Sequence, residues 1–494
     1  MASVTVTGVE GRSIGVPTGL FINNEFVPAT GDATIDLENP STGAHLATVS
    51  AAQEQDVDKA VASSKAAYPG WKNTAPTARR DLLNALASAL EAHAEELASL
   101  EAVDAGILYR DSMGLHVPQS VENLRYFAGW ADKVDGETLA IPEGMAYTRR
   151  EPIGVCAAVI PWNAPLMITL WKMAPALAAG NTLVIKTPEL CPLFGQKLAE
   201  LIVEAGFPPG VVNILCGLGT TAGAALAAHN DIKKISFTGS PGVGRQILVA
   251  SAKSNLKQVT LELGGKGPSI VFDDADWENA LFWTTLGITV NNGQVCAAGS
   301  RIYVQDTVYE TFCEEFSRRS RDAVHGDPLL PETTKGPVIS AGQRDRVLSF
   351  VQRAKDAGVE LLHGGATLPG KGNFVANTAF KNVPQDSATM QQEIFGPFAS
   401  IARFGSEEEV IAKANDSSYG LSAAVFTRDL GRAFRVSEGV EAGQVTVNMW
   451  GTVNANTPFG GVKESGFGRD MGKDALEEWT SVKSVKWNMM KASP

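Results

Sequence analysis

Four continuous apolar runs lie between residues 153 and 240, and segments of helical periodicity separate them. The runs are IGVCAAVI at 153–160, NTLVIKTP at 181–188, VVNILCG at 211–217 and KKISFTGS at 233–240. Strand-length apolar runs that alternate with helices are typical of a mostly parallel sheet covered on both faces. The pattern therefore predicts an α/β fold that binds ligands outside the carboxyl ends of its strands.

The rest of the chain shows the same two periodicities. Residues 20–50 have the pattern of short strands and turns, and residues 55–106 that of helices with one charged face. LELGGKGPSIVF, at 261–272, predicts two strands around a pair of glycines, and 275–290 predicts a helix. A second α/β unit is expected from about 301 to 430. We find no internal repeat and no low-complexity linker, so composition alone marks no domain boundary.

Composition narrows the classes of function. The 494 residues are enough for about three domains. A net charge of −12 argues against a nucleic-acid partner, which needs a basic surface. Apolar segments are too short to span a membrane, and MASVTVTGVEGRSIG has no signal or transit pattern. Five cysteines without paired spacing favour a reducing compartment. We therefore expect a cytoplasmic protein with neither a membrane partner nor a metal site.

A glycine-rich turn follows the fourth apolar run. GSPGVG, at 239–244, stands between a predicted strand and a predicted helix. Gly239 and Gly244 in that position are typical of a turn that holds phosphate at a helix N-terminus, although such a turn alone is a weak signal. Ser240 could donate to a phosphate or cap the helix, and the sequence leaves both roles open.

Cys296 lies in an unusual setting for a thiol. Its segment, NNGQVCAAGSR at 291–301, is small and glycine-rich, with Gly293 before the cysteine and Gly299 after it. Glycines let the backbone come close to whatever the sulfur contacts. The other four cysteines lie in apolar or helical segments, where a buried, inert thiol is the expected state. Cys296 is therefore the candidate nucleophile.

Five separated motifs occur in the order found in the aldehyde dehydrogenase superfamily, which the chain resembles from LFINNEFV to about residue 487. They are IPWNAP at 160–165, LELGGK at 261–266, GQVCAAGSR at 293–301, EIFGPF at 393–398 and PFGGVKESGFGR at 458–469.

The resemblance implies a three-part subunit. It predicts a Rossmann-like NAD-binding domain, a related α/β catalytic domain and a small β arm for oligomerisation. The implied boundaries are 1–129 and 153–264 for the first part, 265–464 for the second, and 130–152 with 480–494 for the arm. Members of the family are dimers or tetramers, and we expect a homotetramer.

The resemblance also implies the catalytic roles. Cys296 matches the nucleophile, which adds to the aldehyde and later carries a thioester. Asn163, with the backbone N–H of Cys296, matches the oxyanion hole. Glu262 matches the base that activates water, and its leucine neighbours predict a raised pKa. Its presence favours release of a free acid over transfer to coenzyme A. Lys172 matches a proton relay with Asp470, where the family more often has the longer glutamate.

Further matches concern the cofactor. Lys186 and Glu189 correspond to contacts with the adenosine ribose, and a carboxylate at that place repels a 2′-phosphate, which favours NAD over NADP. The remaining matches to cofactor contacts are Trp162, Gly239, Ser240, Gly244, Glu393 and Phe395.

The substrate is expected to be a small-molecule aldehyde. The residues that match the tunnel to the nucleophile include none with a charged side chain, which favours an apolar aliphatic or aromatic aldehyde, including arylacetaldehydes. They are Ala164, Met167, Trp171, Val295, Ala297, Trp450, Val453 and Phe459.

Alternatives remain open at this point. Within the family, the chain could prefer NADP or act on betaine-type aminoaldehydes. A different class would be a cysteine acyl hydrolase, but that chemistry needs an activating base, and none of the six histidines lies in a motif that indicates such a pair. A non-catalytic scaffold would be expected to have lost Asn163, Glu262 or Cys296, and all three are present.

Overall fold

The computed structural model describes residues 2–490, which form strands and helices in alternation. The strands are β1 (Ser3–Thr7), β2 (Ser13–Pro17), β3 (Leu20–Ile22), β4 (Glu25–Val27), β5 (Thr34–Asn39), β6 (Ala44–Ser50), β7 (Thr138–Ile141), β8 (Gly144–Pro152), β9 (Val155–Val159), β10 (Thr182–Thr187), β11 (Val212–Cys216), β12 (Lys234–Gly239), β13 (Gln258–Leu263), β14 (Pro268–Val271), β15 (Arg301–Gln305), β16 (Glu360–His363), β17 (Thr378–Lys381), β18 (Phe398–Phe404), β19 (Tyr419–Gly420), β20 (Ser422–Phe426), β21 (Gln444–Val447), β22 (Val462–Lys463), β23 (Gly466–Phe467) and β24 (Thr480–Asn488).

The helices cover both large sheets. They are α1 (Glu54–Lys72), α2 (Pro76–Ala92), α3 (Ala94–Ala105), α4 (Tyr109–Asp111), α5 (Val117–Trp130), α6 (Pro165–Ala178), α7 (Leu193–Glu204), α8 (Ala224–Ala228), α9 (Pro241–Lys253), α10 (Trp277–Thr289), α11 (Tyr309–Arg321), α12 (Ala341–Asp356), α13 (Ala388–Gln391), α14 (Glu407–Asn415), α15 (Leu430–Gly439) and α16 (Gly472–Glu478).

The first large sheet has eight strands in the order β23-β13-β12-β9-β10-β11-β3-β4. Its five central strands are parallel, and the four apolar runs of the sequence supply β9, β10, β11 and β12. Neighbouring side chains of β10 enter separate cores: Ile185 packs with the helices α2, α5, α6 and α7, and Val184 packs with α1, α8 and α9. Both faces of the sheet are therefore buried, which explains why these strands are continuously apolar.

The second large sheet has seven strands in the order β16-β17-β18-β15-β14-β20-β21. All its pairs are parallel except β16 with β17. Ile270 and Val271 of β14 again enter different cores, one with α12, α14 and α15 and the other with α10 and α11. The predicted α/β class is confirmed, with two mainly parallel sheets that are each covered on both sides.

A third, smaller sheet is antiparallel and has the order β24-β8-β7. β24 pairs with β8 along its whole length, from Thr480 opposite Pro152 to Asn488 opposite Gly144. Several apolar side chains of this sheet are exposed, among them Val482 and Trp487. These strands fall in the segments 130–152 and 480–494 that the sequence assigns to the arm; residues 491–494 of that assignment lie outside the described residues.

One short strand of the first sheet comes from the far end of the chain. β23 pairs antiparallel with the edge of β13, where Gly466 lies opposite Glu262 and Phe467 opposite Leu261. Gly466 has φ +109°, and a Cβ atom there would overlap the carbonyl oxygen of Leu261. Only glycine combines this backbone conformation with so close an approach.

Gly466→Ala should therefore destabilise the protein by about 2 kcal/mol, because it strains the backbone and pushes β23 from the sheet. The free energy of unfolding in urea measures this. Gly129→Ala is the matched control: Gly129 is exposed in α5, has open space around its Cα, and should gain up to about 1 kcal/mol from helix propensity. Equal stabilities for the two variants would contradict the assigned role of Gly466.

Candidate active site

Cys296 lies in the loop between α10 and β15, where the carboxyl ends of the parallel strands of the first sheet face the amino ends of those of the second. The loop begins with a tight 3₁₀ turn, Val290–Gly293, in which Asn291, Asn292 and Gly293 all have positive φ. A Cβ atom at Gly293 would overlap the carbonyl oxygen of Gly396, so glycine is required for the loop to pack there. Cys296 is partly exposed, whereas the other four cysteines are buried.

The surroundings of the Cys296 sulfur oppose its ionisation. Burial raises the pKa of the thiol to about 12, and the nearby carboxylates of Glu262 and Glu393 add to this shift. The thiol is therefore protonated at neutral pH in this structure. A nucleophilic role needs a group that takes up its proton.

Glu262 supplies a carboxyl group without fixed partners. It lies in β13 between Thr238 of β12 and Gly466 of β23, and its side chain is buried. Neither carboxyl oxygen has a hydrogen-bond partner within residues 2–490. A Cβ atom at Gly460 would come within 2.6 Å of Oε1, so the glycine leaves room for this side chain.

The pKa of Glu262 lies well above its ordinary value. Burial is the main cause, and the charge of Asp470 adds to it, while Lys172 and Arg469 offset part of the shift. A carboxylate with a raised pKa accepts a proton more readily than an ordinary carboxylate, which suits a general base.

Lys172 and Asp470 form a buried ion pair close to Glu262. Lys172 donates to Asp470 Oδ2 at 2.8 Å and to Ser236 Oγ at 3.0 Å. Lys172 is fully buried, and Asp470 is nearly so. The aspartate therefore reaches the lysine although it is one methylene shorter than the glutamate more usual in the resembled family.

Asn163 forms hydrogen bonds that join the segment before α6 to the loop that contains Cys296. Its Nδ2 donates to the carbonyl oxygen of Gln294 at 2.9 Å, and its own carbonyl oxygen accepts from Asn291 Nδ2 at 2.7 Å. Both bonds join Asn163 to residues that precede Cys296 by two and five positions, and they hold the segment before α6 against the cysteine loop. Asn163 and Cys296 both line each of two cavities, which meet at them.

The first cavity has a volume of about 280 Å³ and opens over the carboxyl ends of β9, β12 and β13. Five of the eight residues predicted to contact the cofactor line it. Trp162 and Phe395 meet edge to face with ring centroids 5.1 Å apart, and Phe395 has φ +60°. The other three lining residues are Gly239, Ser240 and Glu393.

Glu393 is held by backbone contacts. Its Oε1 accepts from the N–H of Gly265 at 3.1 Å, and a Cβ atom at Gly264 would overlap the carboxylate. The glycine pair in LELGGK therefore makes room for this side chain. Burial raises the pKa of Glu393 to about 7, while the Gly265 hydrogen bond and the charges of Arg346 and Lys266 act in the opposite direction.

Three of the predicted cofactor residues lie outside the lining of this cavity. Gly244 is buried in α9, where a Cβ atom would press on Leu263, so it permits the helix to pack on β13. Lys186, at the end of β10, forms an ion pair of 2.9 Å with Glu189. Burial opposes ionisation of Glu189, but Lys186 more than compensates, and the pKa of the carboxyl group is lowered.

Ser240 is the N-cap of α9. Its Oγ accepts from the N–H of Val243 at 3.4 Å, and the residue also lines the first cavity. The capping contact is therefore formed, and the position at the helix N-terminus still presents the residue to an anionic ligand.

The sequence did not identify Gln343 and Arg346, which also line the first cavity. Both lie on α12, where Gln343 Nε2 donates to the carbonyl oxygen of Phe395 and Arg346 Nη2 to that of Glu393, each at 2.6 Å. They position the EIFGPF loop. Polar residues on an amphipathic helix carry no distinctive sequence signal, so no pattern could have identified them.

The second cavity has a volume of about 410 Å³ and a mainly apolar lining. All eight residues predicted for the substrate tunnel line it: Ala164, Met167, Trp171, Val295, Ala297, Trp450, Val453 and Phe459. Trp450 Nε1 donates to the carbonyl oxygen of Ala297 at 2.9 Å, which fixes one wall to the cysteine loop. Within the described chain, no Asp, Glu, Lys or Arg lines this cavity.

No helix within residues 2–490 is long and apolar enough to cross a bilayer. The same residues contain no group of three or more His, Cys, Asp or Glu side chains placed to hold a metal ion.

Two cavities, one of mixed lining and one mainly apolar, meet at a partly exposed thiol, as an α/β enzyme with a cysteine nucleophile would require. Residues 26–485 match the aldehyde dehydrogenase family. An aldehyde dehydrogenase of Davidiella tassiana is 47% identical over 487 residues, which cover 98% of each chain. The chain therefore belongs to the aldehyde dehydrogenase family, whose members oxidise aldehydes.

Solved structures are similar over nearly the same span. The NAD⁺ complex of an aldehyde dehydrogenase from Bacillus cereus is 43% identical, with a TM-score of 0.95, and the match covers 96% of this chain and 97% of that one. A mutant of the P. syringae indole-3-acetaldehyde dehydrogenase in complex with NAD⁺ and IAA is 37% identical, with a TM-score of 0.94 and the same coverage.

Alkylation tests the electrostatic setting of the thiol. Because the charge of Glu262 raises the pKa of Cys296, Glu262→Gln should move the alkylation of Cys296 by iodoacetamide to lower pH. Mass spectrometry of the labelled peptide across a pH series measures the midpoint. Glu200→Gln, on the distant helix α7, serves as the control and should leave it in place. A midpoint that rises or stays constant in Glu262→Gln would refute the coupling.

Proposed function

We propose that this chain oxidises an apolar aliphatic or aromatic aldehyde, including arylacetaldehydes, to the free carboxylic acid with NAD as the cofactor. The observation that carries the proposal is the meeting of the two cavities at Cys296 and Asn163, one suited to a dinucleotide and the other to an apolar substrate.

The residues around the first cavity fit NAD. Ser240 and Gly239 stand at the N-terminus of α9, where a diphosphate is favoured by free N–H groups and the helix dipole. Trp162, Glu393 and Phe395 would hold the nicotinamide riboside, and Lys186 with Glu189 the adenosine ribose. When bound, NAD supplies the hydride acceptor that the oxidation needs.

Cys296 would act as the nucleophile. The thiol gives its proton to Glu262, which passes it on before the later step, and the sulfur adds to the aldehyde carbon to form a thiohemiacetal, whose oxygen carries negative charge as it forms. Asn163 Nδ2, which keeps a second N–H besides the one given to Gln294, and the Cys296 N–H would stabilise that oxygen. After oxidation the same sulfur holds the acyl group as a thioester.

Glu262 would then activate water. It takes a proton from a water molecule that attacks the thioester, and the acid and the thiol are released. Its freedom from fixed hydrogen bonds supports this role, because the side chain can exchange protons without breaking a network. We infer that the proton leaves by way of water and the buried Lys172–Asp470 pair.

The apolar lining of the second cavity supports the substrate class. Burial of a charged substrate group there would cost several kcal/mol without an opposite charge. The P. syringae relative, an indole-3-acetaldehyde dehydrogenase, acts by its name on an arylacetaldehyde. A betaine-type aldehyde is the second candidate, because Trp171, Trp450 and Phe459 offer aromatic faces to a quaternary ammonium group.

The exposed apolar side chains of the three-stranded sheet support self-association. The sheet also has free edges at β24 and β7, and such edges favour pairing with another chain. We therefore propose a homo-oligomer, and a tetramer in preference to a dimer.

A substrate panel tests the proposed function. With NAD, phenylacetaldehyde should show a higher kcat/KM than acetaldehyde or betaine aldehyde, because its ring buries apolar surface in the second cavity. The absorbance of NADH measures the rate. Cys296→Ala should abolish turnover, and Cys313→Ala, which removes a buried thiol outside both cavities, serves as its control. A preference for betaine aldehyde would overturn the apolar assignment.

Cofactor choice is tested at Glu189. Because its ionised carboxylate would repel a 2′-phosphate, Glu189→Gln should raise the kcat/KM ratio of NADP over NAD by about tenfold. Initial rates with each cofactor at several concentrations provide the ratio. Glu200→Gln removes a similar charge from α7 and should leave the ratio at the wild-type value. An unchanged ratio in Glu189→Gln would contradict the proposed contact.

A further inference from the structure

His116 is the one basic side chain that lines the second cavity within the described residues, and no motif of the sequence pointed to it. It ends a π-helical turn, Ser112–His116, that runs into α5. Turns of this kind are uncommon and often occur at functional sites. Its neighbour Leu115 lines the same cavity and is 43% exposed, so this wall lies toward the opening.

A buried carboxylate fixes the orientation of the imidazole ring. Glu101 of α3 is 1% exposed, and its Oε2 lies 2.9 Å from His116 Nδ1. The same oxygen accepts from Ser112 Oγ at 2.5 Å, and Oε1 accepts from the N–H of Leu166 at 3.2 Å, in the first turn of α6. The carboxylate therefore joins the imidazole ring, the start of the turn that carries it and the first turn of α6.

The surroundings of the pair favour its ionised form. Burial lowers the pKa of His116, but Glu101 and, more weakly, Asp111 raise it above its ordinary value. Burial likewise opposes the charge of Glu101, and the histidine and the three hydrogen bonds lower its pKa. The imidazolium and the carboxylate neutralise each other, as a buried pair must to avoid a large desolvation cost.

The second ring nitrogen is free. Nε2 of His116 hydrogen-bonds to none of the residues from 2 to 490, and the ring forms part of the cavity lining. With Nδ1 bound to Glu101, the polar group left for a ligand is the Nε2–H donor. A donor that a buried partner fixes in a mainly apolar lining can select one polar group on a ligand.

We propose that His116 is a specificity-determining residue that binds, through Nε2–H, a neutral oxygen acceptor at the end of the substrate away from the aldehyde. Suitable acceptors are ether, carbonyl and hydroxyl oxygens. A carboxylate is disfavoured because Glu101 already balances the charge of the ring, and the lining holds no second cation. The inference rests on the proposed function, since it concerns the substrate of that reaction.

The test uses matched pairs of aldehydes at three lengths. Benzaldehyde, phenylacetaldehyde and 3-phenylpropanal are each compared with the para-methoxy analogue, which adds an acceptor and no donor. At one length or more, the wild-type kcat/KM should favour the methoxy compound by about tenfold, the effect expected of one hydrogen bond from a charged donor. The para-methoxy group also changes the intrinsic reactivity of the aldehyde. This effect is the same for the wild type and the variants, so comparing their ratios removes it.

His116→Phe should bring that ratio close to one, because the ring remains and the donor is lost. His116→Gln restores an N–H donor on a side chain that extends less far than the ring. It should therefore recover part of the preference for the methoxy compounds. Leu115→Met, at the neighbouring position of the lining, should leave the ratio at its wild-type value. A wild-type ratio near one at all three lengths, or an unchanged ratio in His116→Phe, would overturn the proposal.

Binding without turnover separates this inference from the proposed function. Affinities of the same aldehydes for Cys296→Ala are measured by the fluorescence of the tryptophans that line the cavity, with and without His116→Phe. A methoxy preference that disappears with His116→Phe supports the inference even if the wild type oxidises none of the aldehydes. Oxidation by the wild type without any such preference keeps the proposed function and rejects the role of His116.

Discussion

The site depends on one costly arrangement, a buried carboxyl group that no neighbour binds. Glu262 is desolvated, close to the charge of Asp470 and free of hydrogen bonds within the described chain. Such a group is stable only where the surrounding sheet holds it rigidly, and β12 and β23 flank it on both sides. Its neighbour Cys296 has a raised pKa for the same reasons. The charge of Glu262 therefore makes the thiol harder to ionise.

Much of the architecture was predictable from hydrophobic periodicity. Strands buried on both faces must be continuously apolar, so β9 to β12 could be identified from the sequence, as could the helices between them. Cys296 was identified because glycines surround it, and the eight tunnel residues were identified through a family resemblance. The site residues that escaped prediction, Gln343, Arg346 and His116, act through contacts with distant segments, and those contacts leave no local periodicity or spacing.

Electrostatic states were the least predictable property. Leucines on both sides of Glu262 predicted a raised pKa, and the direction is confirmed. The sequence could not predict that burial would also raise the pKa of Glu393 to about 7, because the glycines that enclose this side chain lie more than a hundred residues earlier in the chain. Local composition indicates burial only where neighbours in sequence are also neighbours in space.

The late position of β23 in the chain bears on how the protein is made. Most strands of the first sheet have been synthesised once residue 263 leaves the ribosome. The strand that pairs with the edge beside Glu262 contains residues 466 and 467, which are synthesised much later. During that interval β13 is an open edge next to an apolar core, a state prone to wrong pairing. The edge of the sheet beside Glu262 is therefore completed only near the end of translation.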